Sequence, residues 1–464
     1  MFNNLQGDIL TGRRVLIIGF ARQGQALARW LPTVGARGIV TDSKSAEQLG
    51  IDPADYPRTR FYLGIDQAQS ATSLAALADV VCVSGGVPLD NPIIRAAQVR
   101  GLPLTNDAQF FVDRCPAPII GITGSAGKTT TTTLVGEMFK RAGVTTWVGG
   151  NIGNVLLDVM MGIRPEHQVV MELSSFQLEL MFTSPPIAAV LNITPNHLDR
   201  HGTMQNYIRA KANIVARQRA EGLVILGRDD WGARMVENVT PGSVLWFSRN
   251  EIVADGAFLV GQRLFVSGLA SSNAEPQHVC EVDEIPLRGE HNVSNVLAAC
   301  AIAGAAGLEP DVMRETILMF KAVPHRLETV REIDGVTYVN DSIATAPERV
   351  IAALRSYDEP LILLAGGADK KLPWDEMIVL ALQKARHIIA FGRDGDIVVN
   401  TARKFNAPPD TVTRVETLDE AVALAALLAQ PGDVVLLSPG GTSYDAYQDF
   451  AQRGEHFRTL VHEL

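Results

Sequence analysis

Short apolar runs and helix-spaced apolar positions alternate along most of the chain, and this alternation predicts strands and helices in turn. In the first hundred or so residues the runs 14–18, 38–41, 79–83 and 102–105 read as parallel strands, with helices such as 24–31 between them. Two prolines, Pro116 and Pro118, then mark a boundary. A second series follows: the apolar run 118–122, a break at Gly124 and Gly127, helical composition over 129–140, and apolar strands that end at Glu172 and near Asn192. A third begins around residue 321, with runs at 336–339, 361–365, 387–391 and 433–438. Residues 240–285, with alternating Val-rich and polar positions, predict a small antiparallel excursion. Three domains are expected: 1–112, 113–322 and 323–464. All are α/β.

Polar residues gather where these strands end, and in open α/β sheets ligands collect at the carboxyl ends of strands. The strongest case is Thr-Gly-Ser-Ala-Gly-Lys-Thr-Thr, residues 123–130. Strand, glycine loop and helix in that order form a phosphate-binding loop of the shorter T-G-x-x-G-K-T type. Gly124, Ser125, Ala126 and Gly127 supply the backbone, Lys128 reaches the outer phosphates, and Thr129 offers a hydroxyl to Mg²⁺. The predicted nucleotide is ATP. Glu172 ends an apolar strand, where a carboxylate is costly to bury unless it meets a cation, and Mg²⁺ on ATP is the obvious one. The fold class follows as a Rossmann-like N-terminal domain, a central P-loop ATPase-like domain and a Rossmann-like C-terminal domain.

In the first domain the turn Gly19–Gly24 resembles a dinucleotide fingerprint with Ala21 in place of its middle glycine, and Asp42 ends the second strand. A nicotinamide site and a nucleotide-diphosphate substrate both fit these residues. Ser84-Gly85-Gly86-Val87 repeats the arrangement after a later strand.

Composition narrows the partners. The 464 residues are 47% hydrophobic and 20% charged, with net charge −10 and no basic run, which argues against nucleic acid as a partner. Four cysteines without C-x-x-C spacing predict buried thiols. The N-terminus lacks the basic and apolar regions of a signal peptide, and no apolar run has membrane-spanning length, so the expectation is a cytoplasmic protein without membrane insertion. A monomer is expected.

Several motifs together carry a resemblance. T-G-S-A-G-K-T-T (123–130), E-L-S-S-F-Q-L-E (172–179), N-I-T-P-N-H-L-D-R (192–200), Lys211 and H-N-V-S-N (291–295) occur in this order. The set resembles the Mur ligases of peptidoglycan synthesis, and S-S-F-Q-L-E is similar to the string of the D-glutamate-adding members. The resemblance implies ATP-dependent joining of D-glutamate to UDP-N-acetylmuramoyl-L-alanine through an acyl phosphate. It also implies that Lys128, Thr129 and Thr130 meet the phosphates, that Thr129, Glu172 and His197 serve Mg²⁺, and that Lys211 carries a carbamate beside the metal. Asn292 and Asn295 would approach the adenine, and Arg326 and Asp341 the rest of the nucleotide. Arg22, Gln23, Asp42, Ser43, Ser84, Gly85 and Gly86 would lie round the UDP end, with Asn151 by the substrate and a metal. Thr345, Lys370, Ser443, Tyr444 and Phe450 would hold the incoming amino acid. One departure stands out: the family reads D-S-K-A-T-N where this chain has Asp341-Ser-Ile-Ala-Thr-Ala346, so Ile343 replaces a cation, and Lys370 and Lys371 are the candidates to supply it. Rival readings are a folylpolyglutamate synthase, which shares the loop and the chemistry, a nicotinamide oxidoreductase built on Gly19–Gly24, and a nucleotide-gated binding protein.

Overall fold

The computed structural model describes residues 7–153, 155–268 and 275–464; of Asp199 only the backbone is described. Residues 1–6, part of the N-terminal stretch read for a signal peptide, and 269–274, inside the expected excursion, lie outside that set. Among the described residues the strands form three sheets. The first contains β1 (Arg14–Ile18), β2 (Arg37–Asp42), β3 (Thr59–Leu63), β4 (Val80–Val83) and β5 (Leu104–Thr105) in the order β3-β2-β1-β4-β5, all parallel. The second contains β6 (Ile119–Thr123), β7 (Thr146–Gly150), β8 (Gln168–Glu172), β9 (Ile187–Val190), β10 (Leu223–Gly227), β11 (Ser243–Ser248), β12 (Gly256–Val260), β13 (Arg263–Ser267) and β14 (Gln277–Glu281). Its order is β14-β13-β12-β11-β10-β9-β6-β8-β7. The third contains β15 (Glu328–Ile333), β16 (Val336–Asn340), β17 (Leu361–Gly366), β18 (Ala385–Phe391), β19 (Val412–Arg414) and β20 (Val434–Gly440), ordered β15-β16-β20-β17-β18-β19.

Central strands such as β6, β8, β17 and β20 are buried along their whole length. That is what parallel strands with helices on both faces require, and it explains why they read as continuous apolar runs. Residues 240–285 correct the sequence reading in one respect. β12, β13 and β14 do pair antiparallel, but β11 pairs parallel with both β10 and β12, so the segment is antiparallel only in its later part and extends the second sheet. Alternation along a strand reports which face is buried, not which neighbour the strand joins.

Two compact units divide the chain: one runs through Val282 and includes Ser294–Ile317, and the other comprises Asp283–Val293 and Leu318–Leu464. Within the first unit one buried cluster runs from Phe20, Trp30 and Phe111 to Leu156, Leu178 and Val190, so the first two sheets share apolar packing. Each such fully buried side chain contributes about 1.5–3 kcal/mol. The second unit has apolar clusters on both faces of its sheet, around Leu363, Met377 and Leu436 on one side and Leu364, Val422 and Phe457 on the other. The four cysteines are free thiols, three of them buried. Among the described residues no helix is long and apolar enough to cross a membrane.

Candidate active site

β6 delivers the chain to the loop 124–127, and the helix Lys128–Arg141 begins directly after it. Gly127 adopts φ +81°, and a Cβ built there would fall 2.1 Å from Asn295 Oδ1. Both the left-handed backbone and the close amide demand glycine. The helix opens with Lys128, Thr129 and the buried Thr130, and the backbone N–H groups of a helix's first turn point out of its end, which makes this end a seat for an anion. Gly127→Ala is expected to cost about 1–3 kcal/mol of folding stability and to abolish the rise in Tm expected of the parent protein with ATP. Thermal melts with and without nucleotide check this.

The loop is braced from the segment after β9. Ser125 N–H donates to the Asn192 carbonyl oxygen at 2.9 Å, and Ala126 N–H donates to Asn192 Oδ1 at 2.8 Å. Ser125 Oγ donates to the Thr194 carbonyl oxygen at 3.0 Å and lies 3.1 Å from the Tyr207 hydroxyl. The string N-I-T thus shapes the phosphate loop, a contribution that its apolar neighbours concealed.

Three side chains from separate elements meet at the end of β8. Glu172 is 1% exposed; its Oε2 accepts from Thr129 Oγ1 at 2.9 Å and its Oε1 from Asn151 Nδ2 at 3.0 Å. Both partners are neutral groups, a hydroxyl and an amide. A hydroxyl and a carboxylate this close form a hard-oxygen donor pair suited to Mg²⁺. Lys128 Nζ turns back to the Gly124 carbonyl oxygen at 3.0 Å.

Lys211, on the helix Met204–Ala212, is also 1% exposed. Its Nζ donates to the Gly124 carbonyl oxygen at 2.8 Å and to Thr123 Oγ1 at 3.3 Å, and it lies 4.9 Å from the Tyr207 ring centroid. Burial, reinforced by the Lys128 charge and only partly opposed by Glu172, holds its amine well below the usual lysine range. Burial thus favours the neutral amine over the ammonium. Tyr207 has a place in this site that the sequence reading missed, although a residue four positions before Lys211 shares its helix face.

His197 is exposed and takes φ +52° at the start of the short helix Leu198–His201, with its ring 5.0 Å from Phe176. Arg200 lies over the Phe176 ring at 4.1 Å and donates Nη1 to the Gly85 carbonyl oxygen at 2.7 Å. That bond ties the loop after β4 to the second sheet.

At the first sheet Asp42 faces the opening turn. Its Oδ2 accepts from Phe20 N–H at 2.8 Å and its Oδ1 from Lys44 N–H at 2.9 Å. Ser84 Oγ donates to the Gly19 carbonyl oxygen at 2.8 Å. Arg22 and Ser43 are exposed, as is Gly86, whereas Gln23 and Gly85 are half-buried. Arg22 Nη2 donates to the Asn151 carbonyl oxygen at 3.4 Å, which links this group to Glu172 through one residue.

In the second unit Asp341 is buried at the end of β16. Ser438 Oγ donates to its Oδ2 at 2.8 Å and Leu327 N–H to its Oδ1 at 3.3 Å. Burial pushes this carboxyl up to about 7 against those bonds and the nearby Arg326 charge. Arg326 is half-buried, and the buried Asn292 donates Nδ2 to the Arg288 carbonyl oxygen at 2.7 Å. Lys370 Nζ donates to Thr345 Oγ1 at 3.2 Å. Ser443 is buried, Tyr444 is 74% exposed, and the carbonyl oxygen of Phe450 accepts from Ser342 Oγ at 2.8 Å. The loops after β17 and β20 are pinned together by reciprocal bonds between Ala368 and Thr442, at 2.9 and 2.7 Å. Arg453, which sequence reasoning missed, is buried beneath them and donates to the carbonyl oxygens of Ser342 and Gly441. Helical amphipathicity alone could not mark it.

Residues 122–303 match the family described as the Mur ligase middle domain, and residues 325–441 match the Mur ligase glutamate ligase domain. The chain is 40% identical to the UDP-N-acetylmuramoylalanine–D-glutamate ligase of Symbiobacterium thermophilum, over 97% of this chain and 98% of that one. It is 38% identical to the same-named protein of Pelotomaculum thermopropionicum, over 98% of each chain. Among solved structures it resembles a UDP-N-acetylmuramate–alanine ligase from Thermotoga maritima, with TM-score 0.62, 17% identity, and 97% and 99% of the two chains covered. A MurF ligase from the same organism in complex with ADP aligns with TM-score 0.57, 16% identity, and 99% and 100% covered. These structural likenesses speak to fold.

Proposed function

The chain belongs to the Mur ligase family, and from that premise we infer that it joins D-glutamate to UDP-N-acetylmuramoyl-L-alanine with cleavage of ATP to ADP and phosphate, a step of peptidoglycan precursor synthesis. The observation that carries the reading in this chain is the gathering of the phosphate loop, Glu172, Asn151 and Lys211 at the ends of the paired strands β6 and β8. A nicotinamide oxidoreductase would leave that cluster without a task.

Amide formation from a carboxylate needs activation, because the anion repels nucleophiles and oxide is a poor leaving group. The L-alanyl carboxylate attacks the γ-phosphorus of ATP, the bond to ADP breaks, and an acyl phosphate forms. The amine of D-glutamate then attacks the acyl carbon, loses a proton, and expels phosphate. Lys128 and the helix N–H groups hold and neutralise the phosphates during the first step. Thr129 and Glu172 are the proposed ligands of Mg²⁺, which when bound disperses charge on the transferring group. His197 is proposed to join them at the metal, and Asn151 to hold the acceptor beside it. Arg22, Gln23, Asp42, Ser43 and the loop Ser84–Gly86 are assigned to the UDP end. Asn292, Asn295, Arg326 and Asp341 are assigned to the nucleotide, and Thr345, Lys370, Ser443, Tyr444 and Phe450 to D-glutamate.

Lys211 is proposed to carry a carbamate, formed by its neutral amine with CO₂; the depressed basicity of that amine supports this. The reading extends to a cytoplasmic monomer with three domains, 1–112, 113–322 and 323–464, supported by the acidic composition and the three sheets.

Isotope transfer tests the chemistry. With ¹⁸O in the L-alanyl carboxylate, label is expected in the released phosphate. Unlabelled phosphate alongside normal amide product would exclude the acyl phosphate.

A further inference from the structure

A loop assigned to anionic ligands carries no positive charge of its own. Residues 341–346, Asp-Ser-Ile-Ala-Thr-Ala, include the assigned contacts Asp341 and Thr345 and no basic side chain. The next helix, Pro347–Leu354, places Arg349 in its first turn, close behind the loop. Arg349 Nη1 donates to the Ile343 carbonyl oxygen at 3.1 Å, and its backbone N–H donates to the Ala346 carbonyl oxygen at 3.0 Å. The guanidinium is therefore fastened to the middle of the loop by the residue that stands where a lysine would serve. At the far end Lys370 holds the Thr345 hydroxyl.

We propose that Arg349 is a positioning residue for the nucleotide: it clamps the loop by the Ile343 carbonyl and, from its exposed place on the helix, adds its positive charge to that of Arg326 on the Asp341 side. This rests on the ligase reading above. The groups that act on Asp341 are Arg326, Arg349, the Ser438 hydroxyl and the Leu327 N–H, with the buried Tyr357 phenol also close enough to feel its charge. Burial raises the Asp341 carboxyl to about 7, so small changes in surrounding charge alter its ionisation in the working range of an enzyme. Removing one of two cations favours the protonated carboxyl. The acid limb of the rate profile then moves to higher pH.

The test compares the parent protein with Arg349→Ala, Arg349→Lys and the double variant Arg349→Ala with Ile343→Lys, measuring KM for ATP and kcat across about pH 6 to 9. In Arg349→Ala, KM for ATP is expected to rise about five- to tenfold at pH 7 while kcat changes less than about threefold. Its acid limb is expected to shift upward by about half a unit, and Ile343→Lys in that background should bring the limb back. Arg349→Lys should fall between the parent and Arg349→Ala. An unmoved acid limb, whether the variant keeps full activity or loses kcat and KM together, overturns the proposal. So does a double variant no better than Arg349→Ala. Failure of the parent protein to form any D-glutamyl product would instead overturn the ligase reading.

Discussion

Lys128→Ala is expected to lower kcat/KM by about 10³-fold. The side chain stands at the first position of the helix Lys128–Arg141, at the mouth of the phosphate loop, and its ammonium folds back on the Gly124 carbonyl oxygen at 3.0 Å. That bond holds it over the same loop whose N–H groups face the anion, so it is placed to neutralise charge that grows as the phosphoryl group transfers. Lys211 does not substitute for it, since burial holds that amine below its usual basicity. Arginine at 128 should recover little, because the loop fits a point charge on a narrow stem. Steady-state kinetics with ATP and the UDP acceptor check the effect, and circular dichroism checks the fold. A loss below tenfold would remove Lys128 from the transfer step.

Lys211→Ala is expected to lower kcat by about 10²- to 10³-fold, with partial recovery in millimolar formate or acetate. An unmodified ammonium here would sit near the Lys128 charge, and burial already disfavours it. A neutral amine adds to the carbon of CO₂ and gives up a proton to solvent; the resulting carbamate carries a negative charge that could help hold a divalent cation together with Glu172. A small carboxylate entering the space vacated by the alanine variant mimics that anion. A second readout is independent of activity: protein equilibrated with ¹³C-bicarbonate should show a carbamate carbon resonance that the variant lacks. Wild-type turnover in the variant, or no such resonance in the active parent, contradicts the assignment.

The phosphate loop was legible because every residue it needs lies within eight positions, and glycine spacing with Lys-Thr reports a local backbone shape. Glu172 was legible for a different reason: a carboxylate in an apolar strand stands out. What the sequence could not show is that Thr129, Asn151 and Glu172 touch, or that the Lys211 amine reaches the Gly124 carbonyl oxygen, a pairing across 87 positions. Such contacts depend on strand order, and β6 lies between β8 and β9 only through crossovers that periodicity does not encode. β3 gave a weaker signal because at the sheet edge its Phe61, Tyr62 and Leu63 are only half-buried and Arg60 is exposed. The helix expected at 24–31 in fact spans Arg22–Trp30, since the polar Arg22 and Gln23 that open it carry no apolar signal. Arg453 stayed hidden for the opposite reason: a buried arginine reads as a surface residue until its carbonyl partners are seen.

The most direct test of the central claim is the mass of the product formed from UDP-N-acetylmuramoyl-L-alanine, ATP and Mg²⁺ with D-glutamate, L-glutamate, L-lysine, L-alanine or diaminopimelate offered singly. The expected product is heavier than the acceptor by one glutamyl residue and forms with D-glutamate alone, with ADP released in equal amount. Comparable product from L-lysine or diaminopimelate, or ATP cleavage without any new amide, would contradict it.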